Sequence, residues 1–152
     1  MLTVGIDTYI TVDEATAYVC EQYVTMHPLR VHWSVLTEEE RETYLKQALR
    51  RLENLNYVGS KIDYYQPLKF PRIAYGRPCE WDKVPLNVKR AQAIMALEII
   101  RKEYISCSDK RMISILDPYR AESGESEDRD TDSLPKSVYE LLHEWVSVGR
   151  KV

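Results

Sequence analysis

The side chains able to do chemistry are few and lie far apart. His27 and His32 stand near one another, while His143 is remote. A histidine works as a base only beside a nucleophile and an oxyanion donor, and no segment groups all three. Each histidine therefore reads as an ordinary satisfied side chain. Cys20, Cys79 and Cys107 are odd in number and widely spaced, with no C-x-x-C pair and no histidine at a finger-like distance. That excludes a disulfide framework or zinc module and leaves reduced, mostly buried thiols as the expectation. Glu125, Glu127, Asp128, Asp130 and Asp132 could gather a cation, but they lack the glycine and terminal glutamate spacing of a calcium loop. G-x-G-x-x-G, G-x-x-x-x-G-K-[ST], G-x-S-x-G and H-E-x-x-H are all absent. The residues point to no catalytic group, no metal site and no cofactor, and so to a protein that is not an enzyme.

A second chemistry uses cations and aromatic faces. Lys46, Arg50 and Arg51 are candidates to face DNA, with Lys61, Lys69, Arg72, Arg77 and Lys83 able to extend a basic patch. Tyr64, Tyr65, Tyr75 and Trp81 could stack unpaired bases. The formal net charge of −3 and pI near 5.7 do not fit a duplex-binding domain. Scattered cations could also line a ring through which DNA passes with weak, sequence-independent contact. A charge run of this kind is also read simply as a solvated face.

The elements that must position these groups are mainly helical. The 152 residues fit one domain with short accessory segments. After an extended lead-in at 1–10, Thr11 and Glu14 make a capping box, and Val12, Ala15, Val19 and Tyr23 recur at helical spacing over about 12–25, closed by Pro28. Residues 26–36 read as a connection carrying Trp33. A second capping box, Thr37 with Glu40, opens a helix over about 38–55. Glu38, Glu39 and Glu40 complement its dipole there, and Leu45, Ala48, Leu49, Leu52 and Leu55 form its apolar stripe.

Glycines and prolines then break any helix over 56–84, which reads as an ordered loop with short extended pieces. Pro85 opens a third helix to about Tyr104, apolar around most of its girth and so central. Residues 110–117 (KRMISILD) suit a strand or a short helix. The expected fold is a small helical bundle with extended loops, room for a short β-hairpin, and a C-terminal helix. Its parts are a core at 1–119, an acidic flexible linker at 120–133, and an amphipathic helix and tail at 134–152.

Two segments suit docking onto another molecule. Val138, Leu141, Leu142 and Trp145 form an apolar stripe behind the acidic tether and could anchor in a partner's groove. Folding back onto the chain's own core is an equal alternative. Phe70, Pro71 and Arg72, within Gln66–Arg72, join rigid prolines to an apolar anchor and a cation. They suit a partner contact, or, as the favoured reading, a strap closing the core. No basic and apolar leader opens the chain, and no apolar run approaches about 18 residues, so the expectation is a protein made in a cytoplasm with no membrane contact.

In this order the segments resemble a family of tailed-phage head-tail connector proteins, part of which is described as single-stranded-DNA-binding and similar to a bacterial primosome component. The resemblance rests on Thr8–Ala15 with Tyr18, Lys46-Gln47-Ala48 with Arg51-Leu52, and Tyr57, Gly59 and Lys61 ahead of Gln66–Arg72. It continues through Pro85, Val88 and Ala91–Ala93 to Leu134-Pro135 with Leu141-Leu142. The match spans about 3–104 and 134–146; residues 105–133 depart from the family pattern. The resemblance implies a structural adaptor, a head-completion subunit of the virion neck assembled in the host cytoplasm. It would form a homo-oligomeric ring of twelve between the portal protein and a neck, tail-terminator or head-closure protein, with genomic DNA passing through. Its C-terminal portion would engage the portal. A single-stranded-DNA-binding accessory protein of replication is the alternative.

Overall fold

A computed structural model describes residues 1–74, 83–107 and 134–147 of the chain. Five α-helices and one small antiparallel sheet make up the described residues, so the mainly helical expectation holds. The helices are α1 (Val12–Gln22), α2 (Pro28–Val35), α3 (Glu38–Glu53), α4 (Leu86–Cys107) and α5 (Lys136–Leu142). The strands are β1 (Ser60–Lys61) and β2 (Arg72–Ile73), with Ser60 opposite Ile73 and Lys61 opposite Arg72.

Local chemistry sets the helix starts. The Thr11 and Thr37 hydroxyls accept from the Glu14 and Glu40 amides at 3.1 and 3.2 Å, and each glutamate returns a bond to its threonine's amide. Both capping boxes are complete. Pro28 does not merely close α1, which already ends at Gln22; it opens α2, where a connection was expected. A proline at the first helical position loses no hydrogen bond, and the His27 ring Nδ1 accepts from the Leu29 amide at 3.2 Å to cap the turn. The lead-in is likewise more than extended chain. Gly5, at φ 89°, donates to the Thr8 carbonyl and folds residues 3–8 into a tight loop. That loop delivers Thr8, Tyr9 and Ile10 to the core.

α4 is the central element and packs against each of the other four helices. Every side chain from Ala91 to Leu97 is buried, which explains a helix apolar on nearly all sides. Among its described side chains the one fully buried polar residue, Gln92, is satisfied: Oε1 accepts from the Tyr9 amide, and Nε2 donates to the Thr8 hydroxyl and the Leu45 carbonyl, all at 2.9 Å.

α5 folds back onto this core. Val138 and Leu142 are fully buried, Trp145 is 5% exposed, and Leu141 packs partly buried at the edge. The segment after α5 pairs with residues 56–58: the Val58 amide donates to the Trp145 carbonyl and the Ser147 amide to the Asn56 carbonyl, both at 2.8 Å. The acidic stretch 120–133 and the segment 110–117 lie outside the described residues.

Candidate nucleic-acid interface

Residues 57–72 leave the core as a hairpin whose base is pinned by a buried arginine. Arg72 Nε donates to the Val58 carbonyl at 3.0 Å, NH1 to Lys69 at 3.1 Å, and NH2 to Gly59 at 2.7 Å and Tyr57 at 3.4 Å. Its guanidinium also lies over the Tyr57 ring, 5.9 Å from the centroid. Five fixed donors let one side chain gather both arms of the hairpin. Gly59 stands where the arms approach most closely; it has φ 79°, and a Cβ there would overlap the Ile73 carbonyl.

Phe70 anchors the returning arm. Its ring meets Tyr57 at 4.8 Å, Trp145 at 5.4 Å and Tyr9 at 6.0 Å, each edge to face. The Tyr9 hydroxyl donates to Glu53 and accepts from the Phe70 amide, and the Lys69 amide donates to the other Glu53 oxygen at 3.0 Å. Burial, then the hydrogen bond and charge of Glu53, push the Tyr9 phenol well above the ordinary tyrosine range.

The far end of the hairpin is a tight turn. The Gln66 amide donates to the Asp63 carbonyl at 3.2 Å, and the Tyr65 amide donates to the Asp63 carboxylate at 3.0 Å. Tyr64 and Tyr65 are therefore the two central residues of the turn. They are 87% and 88% exposed, with ring centroids 5.3 Å apart and planes at 89°. Lys61, also exposed, sits beside them and donates to the Gln66 carbonyl at 3.2 Å.

The structure redistributes the residues singled out from the sequence. Phe70, Val138, Leu142 and Trp145 fill the chain's own core, so as folded they present no anchor to a partner. The equal alternative for the C-terminal helix, folding back, is the one observed. For Gln66–Arg72 it is the favoured one, a strap over the core. Pro71 is half-buried, and its carbonyl accepts from Gln66. Arg72 and Lys69 also leave the basic patch, because Arg72 binds backbone carbonyls and Lys69 Nζ donates to the Leu55 carbonyl at 2.7 Å.

Lys46, Arg50 and Arg51 lie on α3 off its buried stripe; both arginines are exposed in its last turn, where they complement the carbonyl end. Lys46 is half-buried. It adds its charge to the Met1 amino group's hydrogen bond in holding the Glu42 carboxyl below its usual range. Tyr75, Arg77 and Trp81 lie outside the described residues. Each histidine has a local contact: His27 with Tyr23, His32 with Tyr104, and His143 with the Glu140 carbonyl. Cys20 is exposed, against the expectation of buried thiols. Among the described residues no three His, Cys, Asp or Glu side chains gather as a metal site, and no helix is long and apolar enough to cross a membrane.

A family model described as "Putative DnaT-like ssDNA binding protein" matches residues 2–150. The chain belongs to this DnaT-like family. No curated protein and no solved structure matches it. The match extends across the hairpin, the central helix and the acidic stretch alike, so the DnaT-like family unit includes residues 105–133, where the connector-like pattern is interrupted. What sequence reasoning missed within this DnaT-like chain is the turn itself. Asp63 followed three residues later by Gln66 was its only local signal, and the two tyrosines between them gain meaning once that turn is seen to project from the core.

Proposed function

We propose that the chain binds single-stranded DNA without doing chemistry on it, and that the Tyr64–Tyr65 turn is where bases stack. The observation that carries this is two almost fully exposed phenol rings at the tip of a hairpin whose base is locked to the core. A soluble protein gains nothing in stability from aromatic rings held in water, whereas such rings give unpaired bases a face to cover. Lys61 beside them supplies a cation for the backbone. The family's printed description supports the same reading.

The test is anisotropy titration of a labelled oligothymidylate. Stacking is worth about 1–3 kcal/mol per base, so Tyr64→Ala and Tyr65→Ala should each weaken binding about fivefold or more. Duplex of equal length should compete poorly. Binding unchanged in the double alanine variant would rule this reading out.

The second reading is a structural head-tail connector subunit of a tailed phage, acting in the virion neck as a ring against portal and neck proteins. One observation favours it. A groove of about 910 Å³ between α2, α4 and α5 is lined by Met26, Val31, Val35 and Tyr104 among others, and Met26 and Val35 are 82% and 71% exposed. Apolar side chains in that number suit burial against a second copy of the chain. Sedimentation of the purified chain, alone and with a portal, checks it; a monomer under both conditions removes its support.

A further inference from the structure

The segment Gln66–Arg72 has a polar residue at each end, and stacking by the tyrosines alone gives neither end a purpose. Gln66 is the more telling. Its side chain lies inside the hairpin and makes three hydrogen bonds. Oε1 accepts from the Asp63 amide at 3.1 Å, and Nε2 donates to the Leu68 carbonyl at 2.7 Å and the Pro71 carbonyl at 3.0 Å. Those partners lie on both sides of the tip, so one amide group spans the loop from the start of the turn to the returning strap. Lys61 closes the opposite side onto the Gln66 carbonyl. Of these residues only Leu68 puts its side chain into the core; Lys61, Asp63, Gln66 and Pro71 do not. Phe70 and Arg72 fasten the base of the hairpin to the core independently of Gln66.

We propose that Gln66 is a positioning residue for nucleic-acid binding, bracing the Tyr64–Tyr65 turn so that both rings are presented before a strand arrives. This rests on the stacking reading above and adds how the affinity is obtained. A loop that is ordered only on binding charges its ordering entropy against the complex; a loop ordered beforehand does not. Two rings on an unbraced turn would sample many orientations. Fixed to Asp63, Leu68 and Pro71 through one side chain, they sample few. Arg72 does the same at the base, but it is buried and its loss would disturb the core, so Gln66 is the residue that separates bracing from folding.

The experiment is a double-mutant cycle on the full chain with an oligothymidylate probe, using Gln66→Ala, Tyr65→Ala and the two together. Gln66→Met, which keeps volume and removes all three bonds, runs in parallel. Gln66→Ala and Gln66→Met should each weaken binding about tenfold by restoring the ordering cost. In the Tyr65→Ala background Gln66→Ala should cost far less, because there is one ring fewer to hold. Amide hydrogen exchange should quicken at residues 63–66 in both Gln66 variants while α4 stays protected. Unchanged affinity in the Gln66 variants, or losses that simply add to that of Tyr65→Ala, would overturn the bracing role alone. A wild-type chain that binds no oligonucleotide, or a Tyr64/Tyr65 double alanine variant that binds as tightly as wild type, would overturn the stacking reading and this inference together. The coupling decides the matter whatever the melting point does.

Discussion

Gln92 shows how much a single polar side chain can organise. It joins the lead-in, α3 and α4 at a fully buried point, through bonds to Tyr9, Thr8 and Leu45. Replacing it with leucine keeps the volume but strands the buried Tyr9 amide and removes two further bonds, so Gln92→Leu should cost about 2–4 kcal/mol, read from urea melting. Tyr9 and Tyr57 carry a pH signature. Both phenols are raised chiefly by burial, then by Glu53; Phe70 partly offsets this at Tyr9 and Arg72 at Tyr57. A raised value means the folded chain holds the proton more tightly than the unfolded chain does. Their contribution to stability is thus complete below the unfolded value of 10.0 and is lost as pH climbs above it. The urea midpoint should hold up to about pH 9 and fall by about pH 11, and it should fall less steeply in a Tyr9→Phe, Tyr57→Phe chain. An equal slope in that variant would assign the alkaline loss elsewhere.

At the level of elements, what could be read from the sequence followed from whether the determinants are local. α1, α3 and α4 were legible because capping boxes and 3.6-residue periodicity lie within the segments themselves. α2 was not, because its eight residues are too short for periodicity and Pro28 serves equally as a stop or a start. A short β-hairpin and extended pieces over 56–84 were expected, but where the hairpin lies and what holds it could not be read, for a different reason. Its strands are two residues each, and what holds it is Arg72 reaching back to carbonyls 3 to 15 residues away, together with rings from Tyr9 and Trp145. The candidate tyrosines could be named, but not the turn that makes a site of them. α5 carries the clearest test. An amphipathic helix has the same pattern whether its apolar face meets its own core or another molecule, so sequence left those two readings level. With Val138, Leu142 and Trp145 buried against α4 and the hairpin base, Leu142→Ala and Trp145→Ala should each cost about 2–5 kcal/mol of folding stability. A docking anchor would instead leave the melting of the isolated chain unchanged.

For the whole molecule, charge decides what kind of nucleic-acid contact is available. Among the described residues several cations are engaged by the chain itself: Arg30 on the Cys20 and Tyr23 carbonyls, Arg41 on those of Trp33 and Ser34, Lys69 on Leu55, Arg72 on its four carbonyls, and Lys89 with Glu14. Of the cations singled out within the described residues, Arg50, Arg51, Lys61 and Lys83 are exposed and Lys46 is half-buried, on a chain of net charge −3. Long-range attraction is therefore weak, and on the proposed reading affinity comes largely from ring–base contact, which salt does not screen. For single strands the logarithm of the binding constant falls with the logarithm of salt by about 0.7 per phosphate neutralised, so a strand that meets about four cations gives a slope of about −3. Titrations of oligothymidylate from low to moderate salt should give that shallow dependence. Arg50→Ala with Arg51→Ala should flatten the slope by about 1.4 if both contact the strand, and leave it unchanged if they serve only the end of α3. The Tyr64 and Tyr65 variants should weaken binding at every salt concentration and leave the slope where it is, because a ring releases no counterions. A slope far steeper than that would bring more of the chain's cations into the contact than the hairpin tip supplies.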